Sequence, residues 1–316
     1  MPGAFQRELR ELFRLAVPLA AAQAGTQLMG LVDVAVLGRA GAAELAGSGM
    51  ANALYFSVSV FGMGMVFGID PLIAQAVGAG NHARARHMLW QGVWLAIFVT
   101  AVLTVVLFGA TAAIPLIGAK QEIVGHARAF LFVRTFSLLP FLLFFVFRSY
   151  LQAHRVTRPM LLAVVVANIL NFTLDLAFVF GFGPIPAMGT AGAALATVVC
   201  TTAEVIIVAR AARSMDAAAG VDHRPDREAL LQAARIGFPS ALHLGAEVGI
   251  FALVALLAAR FGTLDLAAHP LVIGVASFTF TIAVGVATAG SVRVGNAIGA
   301  RDVAGTRRAG RAAFVG

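Results

Sequence analysis

The sequence has few charges and few of the residues that enzymes use for chemistry. Only 12% of its 316 residues are charged, whereas about a quarter are charged in a soluble domain. An ordinary soluble enzyme, a disordered chain and a coiled coil are therefore excluded. The single cysteine, Cys200, excludes a disulfide framework and a cysteine-based zinc cluster. The seven histidines occur singly and no G-x-S-x-G or H-E-x-x-H motif is present, so we expect neither an enzyme nor a cofactor.

Hydrophobic residues, in contrast, make up 60% of the chain, and its mean hydropathy is +0.89. A transmembrane helix needs about 20 mainly apolar residues. Lipid offers the backbone no hydrogen bonds, so such segments are helical. We therefore predict an all-α polytopic membrane protein with about eight transmembrane helices. The eight apolar runs cover residues 12–37, 50–74, 89–117, 129–151, 160–182, 190–212, 237–259 and 267–292.

The basic residues alternate with these predicted helices. Of the 23 lysines and arginines, 18 lie in the connections on one side and four lie in the alternate connections, while Arg134 lies within a span. This bias predicts a cytoplasmic N-terminus by the positive-inside rule. Dispersal of the basic residues among membrane helices also excludes a nucleic-acid partner. The 18 are Arg7, Arg10, Arg14, Arg84, Arg86, Arg148, Arg155, Arg158, Arg210, Arg213, Arg224, Arg227, Arg235, Arg293, Arg301, Arg307, Arg308 and Arg311; the four are Arg39, Lys120, Arg128 and Arg260.

The chain also matches itself without gaps when it is shifted by 221 residues. The first two predicted helices then align with the seventh and eighth, so one period contains six helices. Six is even, so both copies enter the membrane from the same side, as in transporters built from parallel repeats. Aligned pairs include Arg14 and Arg235, Pro18 and Pro239, Gly64 and Gly285, Gln75 and Asn296, Gly78 and Gly299, and Arg86 and Arg307.

The repeat suggests how the chain is divided. We predict an N-terminal six-helix lobe over residues 1–212, a polar cytoplasmic linker over 213–236, and the start of a C-terminal lobe over 237–316. The second copy contains only two of its helices, so about four are missing. We therefore expect the sequence to be a fragment or the product of a truncated gene.

Three acidic residues within the predicted helices are candidates for function, because a charged side chain inside a bilayer costs roughly 2.5–3.5 kcal/mol on insertion scales. Asp33 shares one helical face with Gln23 and Thr26, which makes a polar stripe on the first helix. The stripe either lines an internal site or lets Asp33 reach the outer interface.

The second and third acids lie on helices five and seven. Asp175 shares a face with Asn168 and Asn171, whose oxygens suit a hard cation or a protonated carboxyl. Interhelical hydrogen bonding is the alternative for these amides. Glu247 shares a face with His243. Either it forms a second cation site, or a His243–Glu247 hydrogen bond only stabilises the helix.

Three other charged residues are weaker candidates. Arg134 in helix four either pairs with an acid in the cavity or extends outward. Asp70 and Glu204 lie close to the inner ends of their helices, where an interfacial position is the more common interpretation.

Several motifs, in this order and spacing, resemble the multidrug and toxic compound extrusion (MATE) family, and within it the bacterial DinF-like group. They run from about residue 12 to the C-terminus. They are Val-Asp-Val-Ala-Val-Leu-Gly-Arg-Ala-Gly (32–41), Ala-Gln-Ala-Val-Gly-Ala-Gly-Asn (74–81), Arg-Ser-Tyr-Leu-Gln-Ala-His-Arg-Val-Thr-Arg-Pro (148–159), Asn-Ile-Leu-Asn-Phe-Thr-Leu-Asp (168–175), Gly-Thr-Ala-Gly-Ala-Ala-Leu-Ala-Thr (189–197) and Arg-Ile-Gly-Phe-Pro (235–239).

The resemblance implies a twelve-helix, two-lobe exporter in the bacterial inner membrane. Such an antiporter uses a sodium or proton gradient to expel small organic compounds, often cationic, by alternating access. It needs no cofactor other than the coupling ion. The family's cation site, transferred to this chain, comprises Asp33, Asn171, Asp175 and Thr197, and a sodium ion would bind Asp33, Asn171 and Asp175. Family members outside the DinF-like group use an acid in helix seven, which corresponds to Glu247.

Two other functions are compatible with the sequence. One is a lipid-linked oligosaccharide flippase of the same superfamily, which would require a more cationic central cavity than Arg134 alone provides. The other is an inactive membrane remnant, because the second lobe is incomplete.

Overall fold

The computed structural model of this protein describes residues 2–118, 120–215, 220, 222–261, 280 and 283–315. These residues are almost entirely helical, and their only β-type pairing is an isolated bridge between Phe182 and Ile185. The helices are α1 (Pro2–Ala40), α2 (Ala42–Val66), α3 (Asp70–Gly78), α4 (His82–Ala113), α5 (Gln121–Thr135), α6 (Leu138–Ala153), α7 (Arg158–Phe180), α8 (Gly189–Ser214), α9 (Arg227–Phe261), α10 (residues 283–299) and α11 (Val303–Val315), with 3₁₀ turns at Phe67–Ile69 and Ile114–Ile117.

The predicted all-α polytopic fold is confirmed. Each of the first six predicted spans overlaps a helical segment that is long and apolar enough to cross a membrane. The predicted seventh span, 237–259, falls within α9, and most of the predicted eighth, 267–292, lies outside the described residues. The segments are Leu9–Ala40, Ala42–Gly78, His82–Leu116, the bent pair Gln121–Thr135 and Leu138–Ala153, Arg158–Phe180, and Gly189–Ser214.

Prolines break two of these segments. The span predicted over 129–151 is in fact two helices, α5 and α6, which are bent by 43°. Pro140 has no N–H for the Phe136 carbonyl, and its ring presses on that carbonyl, so the helix breaks in the preceding turn. Pro71 acts in the same way on the 3₁₀ turn Phe67–Ile69, which separates α2 from α3. The first break places Arg134 in the last turn of α5.

The predicted positively charged connections meet at one end of the bundle, which we call the arginine-rich side. There the Asn296 Nδ2 of α10 donates to the Ala153 carbonyl at the end of α6, with 3.2 Å between the two atoms. The Arg86 Nη1 of α4 donates to the Met215 carbonyl after α8 at 3.0 Å. The alternation of helix direction that was predicted from the arginine pattern is therefore present in the structure.

The connection between α8 and α9 is shorter than the linker predicted over 213–236, because α8 continues to Ser214 and α9 begins at Arg227. Helix α9 begins after Asp226 because this residue caps it: the Asp226 Oδ1 accepts a hydrogen bond from the Glu228 N–H at 2.9 Å. This hydrogen bond and a weaker one from the Ala229 N–H hold the pKa of the exposed Asp226 carboxyl below its usual value.

A buried glutamine of α4 forms hydrogen bonds to the connection between α8 and α9. Gln91 is fully buried, and its Nε2 donates to the Arg224 carbonyl at 2.9 Å, while its Oε1 accepts the Asp226 N–H at 2.9 Å. The Trp94 Nε1 donates to the His223 carbonyl at 2.7 Å. The first residues before α9 are therefore held on the surface of α4.

The internal repeat is visible in the turns that follow α3 and α10. Asn81 accepts a hydrogen bond from the N–H three residues later at 2.9 Å, and its repeat partner Asp302 does the same at 2.8 Å. The residue before each cap has a left-handed backbone, with φ of 69° at Gly80 and 56° at Arg301. For a residue other than glycine this conformation costs roughly 1–2 kcal/mol. The turn of the second copy therefore has the same backbone conformation as that of the first, but it is strained at Arg301.

The two copies also touch each other through repeat-related glycines on the arginine-rich side. A Cβ on Gly78 would lie 2.6 Å from both the Cα and the carbonyl carbon of Asn296. A Cβ on Gly299 would lie 2.9 Å from the Cα of Gln75, the residue aligned with Asn296. The backbones of α3 and α10 can approach this closely only because both positions lack a side chain.

Candidate functional site

The residues that the resemblance assigns to a cation site come together where α1, α7 and α8 meet. The Asn171 Nδ2 of α7 donates to the Asp33 Oδ1 of α1, with 2.9 Å between the atoms. The side chains of Asp175 on α7 and Thr197 on α8 also interact with the Asp33 carboxyl. Asn171, Asp175 and Thr197 are essentially inaccessible to solvent, while Asp33 is partly buried.

Close packing of α1 and α7 produces this arrangement. The Asn168 Nδ2 donates to the Gly25 carbonyl of α1 at 3.0 Å and to the Val164 carbonyl of its own helix at 2.8 Å. A side chain on Gly25 would overlap Val164. The interhelical hydrogen bond considered for Asn168 therefore forms, and it fixes α7 beside α1 so that Asn171 and Asp175, one and two turns further along, face Asp33.

The site has more buried acceptors than donors. Both carboxyl oxygens of Asp175 and the amide oxygens of Asn168 and Asn171 are buried without a hydrogen-bond partner among the described residues. Buried polar atoms are normally paired, and an unpaired one is unfavourable by about 1–3 kcal/mol. A positive ion or a proton would satisfy these oxygens.

Arg134 contributes the positive charge nearest to the site. Its guanidinium carbon lies 4.8 Å from the centre of the Tyr55 ring, whose hydroxyl hydrogen-bonds to Ser137 at 2.9 Å. Two guanidinium nitrogens, Nε and Nη1, are buried without a hydrogen-bond partner in the described part of the chain. The outward orientation considered for Arg134 is therefore wrong: its charge acts on the Asp33 and Asp175 carboxyls, although it forms no ion pair with either.

Glu204 is a third acid close to this group, and it is buried among the helices rather than exposed. It lies on α8, seven residues after Thr197 and therefore on the same face, and it is only 7% exposed. The Arg134 charge acts on it as well. The spacing from Thr197 was visible in the sequence, but its meaning depends on which face of α8 is buried. In this part of the described structure, the Asp33, Asp175 and Glu204 carboxyls therefore share one nearby guanidinium, that of Arg134.

The remaining predicted residues do not join this group. Thr26 is exposed and its hydroxyl donates to the Ala22 carbonyl of its own helix at 3.2 Å, while Gln23 is half-buried. On α9, His243 is exposed and Glu247 is half-buried. Neither makes a side-chain hydrogen bond with another described residue, so the alternative of a His243–Glu247 hydrogen bond is not realised.

Asp70 forms a separate polar cluster between α3 and α6. Its carboxyl accepts a hydrogen bond from the Ser149 hydroxyl and interacts electrostatically with the Arg148 guanidinium. The Arg148 guanidinium in turn lies 4.6 Å from the centre of the Phe145 ring. No pattern in the sequence linked Asp70 to Ser149, because the two residues are 79 positions apart.

The ligand atoms that Asp33, Asn171, Asp175 and Thr197 provide suit a monovalent hard cation or a proton. No group of three or more His, Cys, Asp or Glu side chains that could hold a metal exists within the described ranges. Asp33, Asn171, Asp175 and Thr197 offer only oxygen ligands, which hard ions such as sodium prefer to soft or borderline metals.

Together, the fold and the site define a polytopic helical membrane protein with a repeat of parallel orientation and a buried acidic cluster in its first copy. The family model described as MatE matches residues 18–177 and 239–315. The chain belongs to this family, whose members are transporters rather than enzymes. The predicted family is therefore confirmed, and the DinF-like subgroup stays a prediction.

Two bacterial relatives show how far the similarity extends. The chain is 35% identical over 310 residues to a probable multidrug resistance protein NorM from Deinococcus radiodurans, covering 96% of this chain and 67% of that protein. It is 30% identical over 305 residues to a protein of the same name from Agrobacterium fabrum, covering 95% and 66%. The chain thus spans about two thirds of the length of these relatives.

Solved structures confirm the fold. The eukaryotic MATE transporter AtDTX14 superposes with a TM-score of 0.87 at 21% identity, over 98% of this chain and 70% of the other. An outward-facing multidrug resistance MATE transporter superposes with a TM-score of 0.84 at 23% identity, over 98% and 69%.

Proposed function

We propose that this protein is a cation-coupled antiporter that exports small organic compounds, often cationic, by alternating access. The observation that carries the proposal is the cluster of Asp33, Asn171 and Asp175, in which buried carboxyl and amide oxygens outnumber their hydrogen-bond donors. The names of the bacterial relatives, multidrug resistance proteins, support small organic substrates. The coupling ion is sodium or a proton.

Electrostatics explains why such a cluster would bind a positive charge. Two carboxylates that lie close together in a medium of low dielectric constant repel each other strongly. A sodium ion shared by Asp33 and Asp175, or a proton on one of them, removes this repulsion. In our proposal Asn171 and Thr197 complete the ligand set, while Arg134 limits the affinity so that the ion can also leave.

Coupling follows from the position of the ligands on three helices. Ion binding draws α1, α7 and α8 together, and it shifts the protein toward whichever conformation binds the ion better. The close contact of α3 with α10 would be the element that opens and closes on the arginine-rich side. We propose that this side faces the cytoplasm of a bacterial inner membrane, with the N-terminus inside.

The proposal retains the division predicted from the repeat. Residues 1–212 would form the first lobe, with the ion site inside it, and residues 237–316 would begin the second. Glu247, on α9, is then a second cation ligand at the boundary between the two lobes. Its partial exposure and its lack of a hydrogen-bonded partner among the described residues support this role.

Gradient-driven efflux from proteoliposomes tests the proposal. The purified chain is reconstituted, and release of the fluorescent cation ethidium is followed after a sodium gradient or a pH gradient is imposed. One of the two gradients should drive efflux. Asp175→Asn should abolish this dependence, because the variant cannot carry the charge that the ion neutralises. Asp222→Asn, a matched change in an exposed acid, should behave like the parent.

Three results would contradict the proposal. Unchanged efflux by Asp175→Asn would remove the cluster from the coupling mechanism. Movement of a lipid-linked oligosaccharide without an ion gradient would favour a flippase. Absence of efflux with both gradients would favour an inactive remnant.

A further inference from the structure

A cavity of about 450 Å³ lies on the arginine-rich side, between the two copies of the repeat. The ends of α3 and α6 form one wall, and α10 with the first turns of α11 forms the other. Asn296 joins the two walls through its hydrogen bond to the Ala153 carbonyl. The proposed export function assigns no role to this cavity, and it is separate from the Asp33 cluster.

The charge of the lining is positive. Arg155, Arg293 and Arg308 are among the residues that line the cavity, whereas Asp302 is the one acidic residue among them. The Asp302 Oδ1 accepts the N–H of Gly305, and its Oδ2 lies 3.5 Å from Arg308. The Arg293 guanidinium in turn lies 4.0 Å from the Glu11 carboxylate. Three cations therefore face two carboxylates, and the remaining positive charge attracts an anionic ligand.

The backbone at Arg155 gives an independent indication. Arg155 lies two residues after the end of α6 and has a φ of 59°, in the left-handed region that favours glycine. Its N–H donates to the Gln152 carbonyl at 2.8 Å. Among the described residues, only Arg155 and Arg301 combine a side chain with a positive φ. Such strain often accompanies a binding role. The two differ in one respect: Arg155 lines the cavity, and Arg301 does not.

We propose that this cavity binds a phosphate-bearing anion, supplied either by a free phosphate compound or by the headgroup of an anionic phospholipid. Guanidinium groups match phosphate oxygens with paired, charge-assisted hydrogen bonds. The cavity lies at an end of membrane-spanning helices, where lipid headgroups are present. Because its walls belong to both copies of the repeat, a bound anion favours the packed arrangement of α3 against α10.

Two titrations of the purified full chain test the proposal and separate the two sources. In the first, inorganic phosphate is added at an ionic strength that is held constant with sodium chloride, and the midpoint of thermal unfolding is recorded. In the second, the chain is placed in nanodiscs of phosphatidylcholine with increasing phosphatidylglycerol. Saturable stabilisation by phosphate identifies a free phosphate compound as sufficient, whereas stabilisation by phosphatidylglycerol alone identifies the lipid headgroup.

Glycine variants show whether the arginine acts through binding or through folding. Arg155→Gly should stabilise the ligand-free chain, because glycine relieves the left-handed strain, yet weaken anion binding about tenfold through loss of one charge-assisted contact. Arg301→Gly removes the same charge and the same strain outside the cavity, so it should stabilise the chain with little change in affinity. Arg308→Gln should weaken binding like Arg155→Gly.

The proposal is overturned if neither probe gives saturable stabilisation, or if Arg155→Gly and Arg301→Gly weaken binding equally. Because the readout is binding rather than efflux, this outcome does not depend on the transport proposal.

Discussion

Replacing Gly78 by alanine would place a Cβ 2.6 Å from the Cα and the carbonyl carbon of Asn296 on α10. The Asn296 carbonyl oxygen would be nearer still, and ordinary contacts begin at 3.4 Å, so α3 and α10 would have to separate by at least about 0.8 Å at this point. Overpacking of this kind costs about 1–3 kcal/mol. We therefore expect Gly78→Ala to lower the free energy of unfolding by this amount.

A matched control and a double mutant make this prediction specific. A Cβ on Gly49, in α2, would meet nothing within 4 Å, so Gly49→Ala should stabilise the helix by about 0.5–1 kcal/mol. Gly299→Ala should destabilise like Gly78→Ala. One separation of α3 from α10 relieves both overlaps, so the double mutant should lose at least about 0.5 kcal/mol less than the two single losses combined.

The measurement is reversible unfolding in mixed detergent micelles, followed by circular dichroism. If Gly78→Ala proves as stable as Gly49→Ala, the two helices are not in backbone contact and the closure proposed for the arginine-rich side is refuted.

Two further predictions concern the connection before α9. Gln91→Ala leaves the backbone groups of Arg224 and Asp226 unpaired, so unfolding in micelles should show a loss of about 1–3 kcal/mol, whereas Gln121→Ala at an exposed position should change little. Asp226→Ala should destabilise the chain near neutral pH. Since the folded pKa of Asp226 lies below its usual value, its contribution is complete above pH about 4 and is lost as the pH falls through the folded pKa. The difference between the parent and Asp226→Ala should therefore shrink in unfolding experiments as the pH is lowered from 7 to 3, and a constant difference over this range would contradict this.

The helical periodicity of the sequence was sufficient to place Asn171 and Asp175 on one face of α7, because the spacing of polar residues within one helix is local information. The resemblance added their partner Asp33. The arginine pattern likewise predicted which connections meet at one end of the bundle.

What the sequence could not provide were features set by contacts between distant segments. Arg134 lies in the last turn of α5, before the bend, and the burial of its guanidinium nitrogens depends on helices that are distant in sequence. The burial of Glu204 likewise depends on which helices pack against α8. Gln91 is an ordinary residue in the sequence, and its role appears only when residues 222–226 lie against α4. These contacts join residues up to 135 positions apart, so no local pattern indicates them.

Direct ion binding to the purified chain tests the central claim that the Asp33–Asp175 cluster holds a positive charge. Infrared difference spectra recorded on adding sodium, and separately on lowering the pH, report changes at carboxyl groups. The account predicts that one of the two additions produces a saturable carboxyl signal, which Asp33→Asn and Asp175→Asn each remove and Asp222→Asn retains. The same signal in all three variants, or no signal with either addition, would contradict it.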